Sequence, residues 1–198
     1  MGFDLYGQNP KLKGEEPSIN WDKNPSDEEK IKYFKAREKF EEENPGHYFR
    51  NNVWWWRPLA QYVLELMGNE FTEDEQKSWH HNDGFEVSEE QARKIADRLK
   101  QELKTKRVKA VELFYKTRMK KAEKENKIVA QKHEELKKIV AEKTGKDNLV
   151  PRDYPEPFNS QWEDIQKQFN YESSYPFSEK NVIDFMRFCR ESGGFQIC

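Results

Sequence analysis

Residues 50–68 read RNNVWWWRPLAQYVLELMG, and this stretch decides what kind of fold the chain can make. Its second half places Leu59, Tyr62, Val63, Leu66 and Met67 at i, i+3, i+4, i+7 and i+8, the spacing of one buried helix face, with Gly68 as the stop. Pro58 fits the first turn of that helix, where a missing N–H costs nothing. The first half is less ordinary. Three consecutive indoles cannot all enter one core from a regular element, because helix neighbours point about 100° apart. At least one of Trp54, Trp55 and Trp56 should therefore face a cleft or another segment. Arg50 and Arg57 flank them with planar guanidinium groups suited to anions or aromatic faces. Asn51 and Asn52 add amides that either read a purine-like edge or cap the following helix. Two readings stay open. In one, the string forms a concave aromatic pocket for a nucleotide-like ligand. In the other, Trp55 and Trp56 extend the Leu59/Tyr62/Val63 stripe into a core, and the two arginines pair with carboxylates at its edge.

Around this stretch the composition is polar. Of 198 residues, 36 % are charged and 34 % hydrophobic, and mean hydropathy is −1.18. No window approaches the roughly 18–20 apolar residues of a membrane span, so no membrane association is expected. Disorder is not implied, because 13 Phe, 8 Tyr and 6 Trp supply bulk for a core. Two cysteines, Cys189 and Cys198, do not make a disulfide framework. The N-terminus lacks the basic and apolar regions of a secretory signal, and Tyr6 stands where a myristoylation site needs Ser or Thr. A cytoplasmic protein is the expectation.

Helix punctuation is frequent. Ser26–Glu29, Thr72–Glu75 and Ser88–Gln91 read as capping boxes. The first opens a helix carrying Ile31, Phe34 and Phe40, which Asn44-Pro45-Gly46 ends; the second opens a short helix that stops near Trp79. After the third, no Gly or Pro occurs until Gly145, and Ala92, Ile95, Ala96, Leu99 and Leu103 form a helical stripe. Val108, Val111 and Tyr115 continue it, and Ile128, Val129, Leu136, Ile139 and Val140 form a later one. Two or three helices are expected here, not one. A Pro-rich connector then leads to a short helix capped by Ser160, with Trp162, Ile165 and Phe169. The last helix, opened by Ser178, turns Val182, Phe185, Met186 and Cys189 inward and stops at Gly193-Gly194. Residues 7–25 read as an extended arm, and no alternating strand of five or more residues stands out. The expected fold is mainly α: a compact aromatic-cored helical body of residues 1–103 and 147–198, with a projecting charged helical arm of residues 104–146.

Charge is uneven. Residues 65–91 carry nine acids and one base, whereas residues 93–146 carry nineteen bases and eight acids. Such an arm suits nucleic-acid phosphates, in a strongly salt-sensitive way. A solvated Lys/Glu-rich helix surface, neutralised by the chain's own acidic segment, gives the same pattern. Lys outnumbers Arg there and the only aromatics are Phe114 and Tyr115, so base stacking and base-edge readout are poorly provided for.

Candidate chemistry beyond the Trp string is sparse. His80, His81 and Asp83 share one polar turn with Asn82 and Gly84, and as general acid/base groups they would make the chain a small hydrolase. No Cys-x-x-Cys or His-Glu-x-x-His spacing exists, and Trp79 stands where an EF-hand loop needs its first ligand, so no metal or cofactor is expected. The Cys189 thiol, on the inward face of its helix, should be inert.

MGFDLYG at 1–7, YFRNNVWWWRPL at 48–59, the Asn82-Asp83-Gly84 turn and FCRESGGF at 188–195 together resemble a family of small hypothetical proteins from bacteriophages and bacteria. The charged stretch 104–160 lies outside the resemblance. What it implies is a phage accessory or anti-defence factor acting in the host cytoplasm. The resulting expectation is a non-enzymatic binding protein that takes a host protein or a nucleotide-like ligand. Its site would comprise Arg50, Asn51, Asn52, Trp54, Trp55, Trp56, Arg57, His80, His81 and Asp83. Nucleic-acid association through the Lys-rich arm is the alternative.

Overall fold

The computed structural model describes residues 2–198; Met1, the first residue of the MGFDLYG string, lies outside them. Helix dominates, at 63 %. The expectation of no alternating strand of five or more residues is corrected by a four-stranded antiparallel sheet, order β2-β1-β4-β3, built from β1 (Gly2–Gly7), β2 (Tyr48–Asn52), β3 (Phe85–Val87) and β4 (Phe195–Ile197). Three- to six-residue strands are too short to announce themselves by alternation. β1 does alternate, burying Phe3 and Leu5 and turning Asp4 and Tyr6 outward, but its partners lie far along the chain. The helices are α1 (Asp27–Glu43), α2 (Val53–Met67), α3 (Glu73–Ser78), α4 (Glu89–Lys104), α5 (Arg107–Thr144), α6 (Phe158–Gln166) and α7 (Glu179–Glu191).

Local signals explain most of these boundaries. All three capping boxes form, with the side chains of Ser26, Thr72 and Ser88 accepting from the N3 amides and Glu29, Glu75 and Gln91 reaching back. Ser178 caps α7. Ser160, expected as a cap, sits inside α6, which begins directly after Pro157, and its hydroxyl donates to Glu156 instead. The long Gly- and Pro-free stretch breaks once, at Thr105-Lys106, where Lys106 takes φ +60°. Buried Glu102 holds this corner: Arg98 reaches it at 3.2 Å from within α4, and Arg107 at 3.4 Å from beyond the break. Tyr62 directs its hydroxyl at the same carboxylate, and burial beside that charge pushes its pKa up to about 12.

The chain forms two compact units, Met1–Glu112 with Phe177–Cys198, and Leu113–Pro176. In the first, one face of the sheet is covered by α2 and α7, while α4 packs along α7. Phe3, Leu5, Phe49, Val87, Phe195 and Ile197 enter the core from the sheet, and Trp56, Leu59 and Val63 from α2. Ile95 and Leu99 of α4 and Val182, Phe185 and Phe188 of α7 close it. α1 contributes Phe40 but leaves Ile31 and Phe34 exposed, with Phe34 against Trp21.

In the second unit, residues 147–176, which the sequence grouped with the body, fold together with the greater part of α5. Leu136 and Val140 meet Tyr154, with Leu149, Phe158, Trp162 and Ile165 around them. The Asn126 amide donates to the Asn170 carbonyl and the Ser173 hydroxyl, both at 2.9 Å, and accepts the Asn170 N–H. Arg118 pairs with Glu172 and lies over the Phe114 ring.

Two glycines are required by close approach. A Cβ on Gly46 would sit 2.2 Å from the Glu191 backbone, and one on Gly7 would sit 2.0 Å from the Gly46 carbonyl oxygen. Neither neighbour is a flexible side-chain end. Gly46→Ala should therefore destabilise the protein by about 1–3 kcal/mol or more, read as a lowered Tm. An unchanged Tm would mean that the α7 end does not rest on Gly46.

Candidate functional site

The Trp string straddles an element boundary, and that resolves its geometry. β2 ends at Asn52, whose side chain accepts from the amides of Trp54 and Trp55 and so caps α2. The three indoles then point different ways: Trp54 is 40 % exposed, Trp55 is half-buried and Trp56 is fully buried. The Trp56 ring stacks on Trp79 with centroids 5.8 Å apart and on Phe3 at 5.4 Å, and its Nε1 donates to the Trp79 carbonyl at 2.7 Å. Trp56 is a core residue.

The flanking polar groups are dispersed. Arg50 projects from the opposite face of the sheet and pairs with Asp4, Nε to carboxylate 3.3 Å. Asn51 donates to Asn181 at the start of α7. Arg57 is exposed on α2, and its charge reaches His80. His80 is half-buried after α3 and lines an open groove with Leu64, Glu65, Glu73, Gln76 and Lys77. His81 and Asp83 are exposed, and Asn82 donates to the Gly2 carbonyl, tying the turn to β1. The ten candidates thus divide among the core, a helix cap, the exposed side of α2, a sheet face and a turn; Arg57, His80 and His81 influence one another. Among the described residues, no group of three or more His, Cys, Asp or Glu is arranged to hold a metal, and no helix is long and apolar enough to cross a membrane.

The outer face of the sheet carries an arrangement the sequence reading missed. Tyr6 stands directly opposite Tyr48, and Asp4 directly opposite Arg50, so four side chains form a two-by-two patch on β1 and β2. The tyrosine ring centroids are 5.4 Å apart, and Tyr6 is 48 % exposed. The Tyr48 hydroxyl donates to the Asp4 carboxylate, and burial together with that carboxylate raises its pKa. The alternation of β1 was the available signal; its pairing with β2 was not visible.

Basic residues sort by helix. On α4, Arg93 pairs with Glu89, Lys94 with Glu70 and Glu90, and Arg98 with Glu102. On α5, Lys116, Lys120, Lys124 and Lys127 follow steps of four, four and three and are all exposed. They lie opposite the face that buries Ala122, Val129, Leu136 and Val140. Among the described residues Lys120, Lys124 and Lys127 form no ion pair, while Lys121 at the flank reaches Glu125 only at 3.9 Å.

These features define a helix-dominated α+β protein with one polar sheet face and one lysine-bearing helix face. No family model, curated protein or solved structure matches the chain.

His80 gives a direct check on the turn. Burial first, and then the Arg57 and His81 charges, hold its pKa below 6.5. The folded protein therefore binds the proton less readily than the unfolded chain, and this contribution to stability is lost as pH falls through 6.5 and below. NMR titration should place His80 below the ordinary histidine value, and Arg57→Gln should move it upward. A His80 midpoint insensitive to that substitution would separate the two groups. Trp56→Ala should cost about 3–5 kcal/mol in thermal or denaturant unfolding, against at most about 1 kcal/mol for Arg50→Ala at its exposed ion pair.

Proposed function

We propose that the protein is a non-enzymatic nucleic-acid-associated protein whose phosphate-contacting element is the outer face of α5. The observation that carries this reading is the exposed row Lys116, Lys120, Lys124 and Lys127, of which Lys120, Lys124 and Lys127 form no ion pair among the described residues, whereas Arg93, Lys94 and Arg98 of α4 are each paired. The row runs about 16 Å at 1.5 Å per residue. It lies on a helix whose other side is fixed by packing and by the Asn126 amide bonds. Lysines act as point charges here, without bidentate base readout, so the reading implies binding indifferent to sequence. Catalysis by His80, His81 and Asp83 lacks comparable support, because His81 and Asp83 stand in solvent and only His80 faces a groove.

A salt titration tests this reading. Three phosphate contacts on a duplex, from Lys120, Lys124 and Lys127, should give a log–log slope of about −3 in binding affinity against salt concentration. Replacing Lys120, Lys124 and Lys127 together by Gln should flatten the slope by roughly three units and leave Tm unchanged. Affinity that hardly varies between low and high salt, or a slope untouched by the triple substitution, would remove α5 as the contact element.

A further inference from the structure

We propose that the outer face of the sheet, around Tyr6, Tyr48 and Arg50, is a binding site for an unpaired nucleotide, either free or within a single strand. The site is separate from the α5 row and stands without it. A small sheet has two faces to place. One face is the core, and the other would be expected to carry simple polar side chains. Here it instead carries two tyrosines in direct cross-strand register and a guanidinium one pleat away.

Each part has the state the task needs. The Tyr6 ring is 48 % exposed and offers a π-face to a base. The Tyr48 ring beside it is held by its hydroxyl bond to Asp4, so the pair is a fixed surface rather than two loose side chains. Arg50 is tied to Asp4 through Nε, while its side chain remains 65 % exposed. Gly2 lets it lie low on the sheet: the point where a Cβ would sit is 3.6 and 3.7 Å from Arg50 Nε and Nη2. One edge of the guanidinium is used and the other is left for a phosphate. The Tyr6-to-Arg50 step follows from the strand rise of about 3.3 Å per residue, which places ring and cation about 7 Å apart along the strands. Asp4, the one acid among these four residues, already receives both the Tyr48 hydroxyl and Arg50. Gln196 lies opposite Tyr6 on β4, with its amide donating to the Gly84 carbonyl, and exposed Glu86 follows on β3. Glu86 is thus two strands away from Tyr6, about 10 Å, while Glu38, Glu41 and Glu42 of α1 line a groove together with Tyr48, Lys180 and Arg187.

The occupant is an unpaired base because a stacked duplex cannot lay a base face on a ring. The test uses the full chain, a thymidine tetranucleotide, thymidine monophosphate and a short duplex, compared by calorimetry at about 300 mM salt, where contacts made only to the backbone are weak. The tetranucleotide or the monophosphate should bind and the duplex should not compete. Binding of the tetranucleotide alone assigns a single strand, and equal binding of the monophosphate assigns a free nucleotide; either supports the site. Tyr6→Ala should weaken binding roughly ten- to a hundredfold, with Tm unchanged because the ring is exposed, and Tyr6→Phe should preserve it. Arg50→Ala should weaken it as well, while the α5 Gln triple variant should bind the tetranucleotide normally. Absence of binding by both ligands, full competition by duplex, or affinity unchanged in Tyr6→Ala would overturn the proposal, whatever the α5 salt titration shows.

Discussion

Trp56 is the contact on which the larger unit depends. Its ring lies against Phe3 from β1, Trp79 from the end of α3 and Phe185 from α7, and its N–H is committed to the Trp79 carbonyl. These residues come from positions 3, 56, 79 and 185, so one side chain joins segments far apart in the chain. Phe195 extends the same aromatic contact to β4, touching Trp79, Phe185 and Phe188. A core made of few, very large rings compensates for the low apolar fraction, since each buries an area that several small side chains would be needed to match. It also brings together the segments that form the sheet. β1 has no local partner, and its pairing with β2 and β4 requires chain ends that meet only when these rings do.

This dependence explains what could be read from the sequence and what could not. Helix starts were legible because a capping box is a contact over three residues: Ser26, Thr72 and Ser88 reach amides their own segments supply. The α2 stripe was legible for the same reason. The sheet was not, because β3 and β4 hold three residues each and acquire their meaning from partners elsewhere in the chain. The Trp string was ambiguous because a strand-to-helix boundary runs through it, at Asn52, and a single periodicity applied across that boundary gives the wrong set of directions. Of the two readings it allowed, the core reading describes Trp56, while Arg50 pairs with Asp4 on the far side of the sheet from that ring. The break after α4 was hidden for another reason. Neither Gly nor Pro marks it; a buried carboxylate, Glu102, gathers Arg98 and Arg107 and makes the left-handed turn at Lys106 worthwhile.

Charge distribution follows the same separation of local and distant effects. The sequence shows a basic stretch from 93 to 146 but not which of its charges are already used. Glu70, at the C-terminal side of α2, turns out to accept Lys94, and Asp97 accepts Arg190 from α7. These pairs belong to the packing of α4 on its neighbours, and being exposed they contribute little individually. On α5 the packing is made instead by Leu136 and Val140 and by the neutral amides of Asn126 and Asn170. On the outer face, Lys120, Lys124 and Lys127 take part in no ion pair among the described residues.

The sheet gives the same result for its own surfaces. A sheet can recruit a partner by its edges or by its open face, and edges invite strand addition. Here both edges are poor templates. β2 is five residues long, carries Arg50, Asn51 and Asn52, and turns at once into α2, with Asn52 spent on the cap. β3 is three residues long, ends at Val87 and is followed at once by Ser88, which caps α4. A strand that runs directly into a helix cap cannot lengthen to accept a partner. On the open face of the sheet it is the register of β1 on β2, and nothing in either strand alone, that brings Tyr6 to Tyr48 and Asp4 to Arg50.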